Sequence, residues 1–152
     1  MAQLAHAASM EGITCVAKIS GKTHMPPIEK TRIPNCTYCE PQVASIGLTE
    51  RAAREAGFTV KTGKFPFIGN SKATILGHHE GFIKVVADAK YGEILGVHAI
   101  GPLATEILAE PTAALSLEAT LDDMANTIHA HPTVWEAMGD AFNSVRGLAI
   151  NF

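Results

Sequence analysis

The chain has 152 residues, 47% hydrophobic and 18% charged, enough length and apolar content for one domain with a real core and too much for a disordered segment. Its formal net charge of -3 leaves no positive excess to meet a phosphate backbone or an anionic membrane, so neither nucleic acid nor membrane is expected as a partner. No apolar run approaches the roughly 18 to 20 residues that span a bilayer. His6, Glu11 and Gly12 interrupt the start where an export signal would be unbroken, and an odd count of three cysteines fits a reducing compartment, the cytoplasm or a mitochondrial matrix.

Residues 3–19 place Leu4, Ala7, Ala8, Ile13, Val16, Ala17 and Ile19 at roughly helical spacing and predict a helix. Gly21 and the Pro26-Pro27 pair mark an exposed connector, where any internal boundary would fall. Residues 43–46 read as a strand after a turn at Pro41. Thr49, Glu50, residues 52–56 and Gly57 read as a short capped helix with a C-terminal glycine. Residues 58–67, 81–87 and 93–100 are strand-like, and the last two are separated by a hairpin-length turn, Asp88-Ala89-Lys90-Tyr91-Gly92. The final third returns to helix over 103–118, 121–126 and 133–147, with Asp122 and Asp123 favouring the second start and Pro111 expected to kink the first helix. Short connections imply an antiparallel sheet, and helices after strands imply an α+β fold with helices packed on one side of it.

Cys36-Thr37-Tyr38-Cys39 is a C-x-x-C in an extended stretch, not at a helix start where a thiol is activated, and the one other cysteine is Cys15. Two semi-buried small side chains are the expectation. Among His6, His24, His78, His79, His98, His129 and His131 no pair has zincin spacing and no carboxylate cluster accompanies them, so no metal site is expected; the adjacent His78 and His79 read as a solvated turn.

The informative segment is His129-Ala130-His131-Pro132-Thr133-Val134-Trp135-Glu136-Ala137. Proline biases His131 toward extended backbone at a reversal between two helices, so its side chain can project outward. Glu136, five residues on, can fold back to hold one imidazole nitrogen and leave the other as an oriented acid/base. The competing reading makes Thr133-x-x-Glu136 a capping box and His131 a surface loop residue.

That segment resembles the C-terminal active-site motif of the flavoprotein pyridine nucleotide-disulfide oxidoreductases, most of all their dihydrolipoamide dehydrogenase branch. Three more stretches agree in order: Leu4-Ala5-His6 with Glu11-Gly12, residues 40–50, and Gly81-Phe82-Ile83-Lys84-Val85 with residues 92–98. The resemblance implies that residues 1–25 are the trailing helix and linker of an FAD-binding domain, with Leu4, Ala5 and His6 near the flavin. Residues 26–152 would be the C-terminal interface domain of a two-fold homodimer. It implies that His131 acts as acid/base at the partner subunit's redox disulfide, with Glu136 orienting it, in oxidation by NAD of dihydrolipoamide carried on a 2-oxo acid dehydrogenase complex. FAD and NAD are the cofactors implied. No G-x-G-x-x-G and no C-x-x-x-x-C occurs here, so this chain alone is expected to hold neither cofactor and to be inactive. A glutathione reductase-like substrate is the weaker alternative, because those relatives tend to carry a second acid where this chain has Ala137; a non-catalytic dimerisation module is the alternative of another class.

Overall fold

The computed structural model describes residues 3–22 and 25–151. Five strands, β1 (Asn35–Thr37), β2 (Gln42–Gly47), β3 (Val60–Pro66), β4 (Phe82–Asp88) and β5 (Ile94–Gly101), form one sheet in the order β1-β2-β5-β4-β3, every pair antiparallel. Among the described residues seven α-helices accompany it: α1 (Ala5–Ile19), α2 (Glu50–Glu55), α3 (Ser71–Leu76), α4 (Ala104–Ile107), α5 (Ala109–Ser116), α6 (Leu121–Asn126) and α7 (Glu136–Val145). The fold is α+β, as the sequence predicts.

The hairpin at the centre of the sheet is closed by Asp88. Its carboxylate accepts the N–H groups of Lys90 and Tyr91 at 3.1 and 2.7 Å, and Gly92 takes φ +74°, a conformation that costs a glycine little. The resulting register sets Ile83, Val85 and Ala87 on one face with Ala44, Ile46, Val97 and Ala99. Met138, Ala141 and Phe142 of α7 pack over that face and are sealed from solvent. Ile94, Leu95 and Val97 on β5 read as an unbroken apolar run because its other face is covered too: Leu95 and Val86 meet Ala53 of α2. Thr49 caps α2 by accepting the Ala52 N–H at 3.2 Å, as expected from its place before Glu50.

Three expectations about elements are corrected. The helix expected over 103–118 is not kinked at Pro111 but divided at Leu108 into α4 and α5. Pro111 has no N–H for the Ile107 carbonyl and its ring crowds that group, so the ladder stops there; the proline itself sits in the first turn of α5, where no donor is lost. The helix expected from residue 133 begins at Glu136, because the Thr133 N–H and hydroxyl are engaged elsewhere. The stretch before His78 contains α3, unanticipated although its signals are local: Asn70 accepts the Ala73 N–H at 2.8 Å and Gly77 ends the helix at φ +75°.

The cysteines also differ in detail. Cys36 is half-buried on β1 against the main core, and its thiol is pushed up by burial, then by the nearby Glu106 charge, the reverse of activation. Cys39 is exposed, not semi-buried, because the turn before β2 carries it outward; its thiol donates to the Pro41 carbonyl at 3.0 Å. Among the described residues no helix is long and apolar enough to cross a membrane.

Candidate functional site

The α6–α7 connection carries the site. Thr120 and Asp123 close a capping box that starts α6, so that helix delivers the chain to His129 at a defined point. From there the chain runs through a cis His131–Pro132 bond to the first turn of α7. Glu136 stands in that turn, where a negative charge complements the helix dipole.

His131 and Glu136 are brought together. The His131 Nδ1 lies 2.9 Å from Glu136 Oε1, while Glu136 Oε2 accepts the Thr133 N–H at 2.8 Å. Both roles weighed for Glu136 are therefore filled by one carboxylate, one oxygen for each. The capping box is only half made, since the Thr133 hydroxyl donates to the Ala130 carbonyl at 2.9 Å. Burial works to raise the Glu136 carboxyl, but the Thr133 N–H, the His131 bond and the His131 charge together bring it below the usual value. Glu136 is thus ionised near neutrality and can only accept, which places a proton on His131 Nδ1; in the neutral form of the ring the lone pair is then on Nε2. The imidazole side chain is 73% exposed, so that nitrogen faces outward from this chain.

The neighbouring His129 has a different setting. Its side chain is largely covered, Nε2 lies 2.8 Å from Glu110 Oε1 on α5, and Nδ1 lies 3.0 Å from the Thr127 carbonyl. Its ring stacks on Trp135 with centroids 3.2 Å apart and planes 14° from parallel. His129 is a structural post beside the exposed His131. Glu110, 19 residues away, left no sequence signal; Trp135 could have been noticed as an aromatic inside the histidine segment. Asn70 also reaches this loop, donating through Nδ2 to the Thr133 carbonyl at 3.1 Å.

The other histidines lie apart. His6 is exposed at the start of α1 with Nε2 2.9 Å from the Pro34 carbonyl. His98 on β5 has Nε2 3.1 Å from the Leu48 carbonyl, and burial lowers its pKa. His78 is exposed, His79 half-buried, and His24 lies outside the described residues. No three His, Cys, Asp or Glu side chains converge among the described residues. A groove of about 600 Å³ runs along α1, lined by Ile13, Val16 and Met25 among others, and contains none of the His131 loop.

An antiparallel sheet roofed by helices thus carries a histidine and a glutamate paired at an exposed loop. Residues 33–142 match the dimerisation domain of the pyridine nucleotide-disulphide oxidoreductases, and the chain belongs to that family. It is 45% identical to a dihydrolipoyl dehydrogenase of Rhizobium etli over 97% of this chain and 31% of the relative. Against the dihydrolipoyl dehydrogenase of Bacillus subtilis it is 46% identical, over 99% of this chain and 31% of the relative. The chain thus spans about a third of the length of these curated relatives. Among solved structures, LpdA from Mycobacterium tuberculosis superposes with a TM-score of 0.88 at 20% identity, covering 94% of this chain and 31% of that one. The copper complex of the flavoprotein disulfide reductase RclA from Escherichia coli superposes with a TM-score of 0.85 at 18% identity, over 94% of this chain and 32% of that one. At these identities the two structures show the fold.

Proposed function

We propose that this chain is the dimerisation part of a dihydrolipoyl dehydrogenase and donates His131 and Glu136 to the partner subunit's disulfide and flavin site. The observation that carries the reading is the exposed His131 imidazole, whose Nδ1 is held by Glu136 while its Nε2 faces out of the chain. A thiol of ordinary pKa about 8.5 is mostly protonated at neutral pH and must lose its proton to become a nucleophile. The His131 Nε2 lone pair takes that proton, the imidazolium is stabilised by the Glu136 carboxylate, and the resulting thiolate attacks one sulfur of the redox disulfide, forming a mixed disulfide as the original S–S bond breaks and its other sulfur leaves as a thiolate. In the reverse direction His131 returns the proton to the leaving sulfur.

The flavin, when bound in the whole enzyme, supplies the electron relay between the disulfide and NAD. Leu4, Ala5 and His6 fit an edge contact with that group and no more. They occupy the surface start of α1, whose N-cap Leu4 supplies no side-chain bond to the open first-turn N–H groups, and His6 Nε2 is already beside Pro34. The reading places the homodimer in the cytoplasm, with dihydrolipoamide on a 2-oxo acid dehydrogenase complex as substrate. Ala137 is fully buried against the core, leaving no room for the second acid associated with the glutathione-type alternative.

The test is His131→Gln in the full-length polypeptide that contains this segment. A fall in dihydrolipoamide oxidation of about 100-fold or more with the dimer intact is expected. Unchanged turnover in an intact dimer would instead make this a non-catalytic interface module.

A further inference from the structure

His131 is oriented by Glu136, but Glu136 is itself held through Thr133, and Thr133 is held from a different part of the fold. Asn70 lies between β3 and α3, 63 residues away in sequence, and is 5% exposed. Its amide is used at both ends: Oδ1 accepts the Ala73 N–H at 2.8 Å and Nδ2 donates to the Thr133 carbonyl at 3.1 Å. The amide orientation is unambiguous, because a backbone N–H can only donate and a carbonyl can only accept. Thr133 is therefore gripped on both sides of its Cα, its carbonyl by Asn70 and its N–H by Glu136 Oε2. With both flanking peptides fixed, the carboxylate that meets the Thr133 N–H has its second oxygen aimed at His131 Nδ1, 2.9 Å away.

We infer that Asn70 is a positioning residue for the acid/base histidine, setting the His131 tautomer through Thr133 and Glu136. The inference rests on the acid/base reading of His131 above. Helix capping alone cannot account for the side chain, since capping uses Oδ1 and leaves the Nδ2 bond to Thr133 unexplained.

The two roles separate by substitution. Asn70→Ser and Asn70→Asp both keep a good N-cap for α3, while neither replaces the Nδ2 donor to Thr133: an ionised carboxylate has no proton to give, and the shorter serine hydroxyl stands about one bond length back from the amide nitrogen. The readout is the ¹⁵N spectrum of the His131 ring in this chain, taken above about pH 8, where an ordinary imidazole is neutral. The wild-type chain should favour the Nδ1–H tautomer. Both variants should shift the ratio toward Nε2–H by about threefold or more, the effect of loosening one hydrogen bond, with the α3 amide signals in place. A wild-type ratio in either folded variant overturns the inference. His131→Gln in the full-length enzyme tests the acid/base reading separately: if turnover survives that change while Asn70→Ser still shifts the tautomer, the acid/base role falls and the Asn70 coupling stands.

Discussion

At the scale of single residues the site depends on one carboxylate serving two donors. Glu136 is held below its usual pKa of 4.5, so its contribution to stability is fully present above that value and disappears as the pH falls through the lowered one. Glu136→Gln should therefore destabilise the chain by about 1 kcal/mol near pH 7, after allowing for partial exposure, and by progressively less as the pH is taken below 4.5. Urea unfolding of both proteins across that range measures it, and a difference that does not shrink in acid would refute the assignment. The His129 post makes a second residue-scale case. His129→Ala removes the Glu110 contact and uncovers the Trp135 ring, at an expected cost of about 1 to 2 kcal/mol in thermal unfolding, whereas the exposed His131→Ala should cost less than about 0.5 kcal/mol.

At the scale of elements, α7 is the beam on which the site is mounted. Its first residue is Glu136, and its inner face packs on β3 and β4 through Met138, Ala141 and Phe142. Gly63 on β3 is what lets it come so close, since a Cβ there would strike the Ser144 hydroxyl and the Val145 backbone nitrogen. Gly63→Ala should cost about 1 to 3 kcal/mol by overpacking, and Phe142→Ala about 3 to 5 kcal/mol by leaving a cavity. Denaturant midpoints check both, and a neutral Gly63→Ala would show that α7 can lift off β3 without loss. The division of the helix at Leu108 belongs here too: Pro111 leaves the Ile107 carbonyl without an N–H partner, and Ile107 and Leu108 are both buried in the core at the break.

At the scale of the whole molecule, α1 stands apart from the sheet. It buries Ala7 and Thr14, while Met10, Ile13, Val16 and Ile19 remain exposed along it. We propose, following the family resemblance, that residues 26–152 fold as a unit without residues 1–25. Removal of residues 1–25 should change unfolding stability by less than about 2 kcal/mol and leave the amide spectrum of the sheet unchanged. Collapse of that spectrum would join α1 to the core.

Much of this architecture is legible in the chain itself because its causes are local. The hairpin at Asp88 to Gly92, the Thr49 and Thr120 caps, the alternation along β2 and the His131-to-Glu136 spacing all arise between residues close in sequence. The helix α3 was equally local, with Asn70 and Gly77 as its ends, and escaped only because its six residues make a weak periodic signal. Other features depend on distant segments meeting. The covering of both faces of β5, the post made by Glu110 and His129, and the grip of Asn70 on Thr133 join segments with no local pattern to announce them. The sequence alone determined that Glu136 could pair with His131 and reach Thr133, because all three lie on one short segment; only the tertiary structure decided that Asn70 would hold Thr133 and Glu110 would hold His129, because those partners come from other elements of the fold.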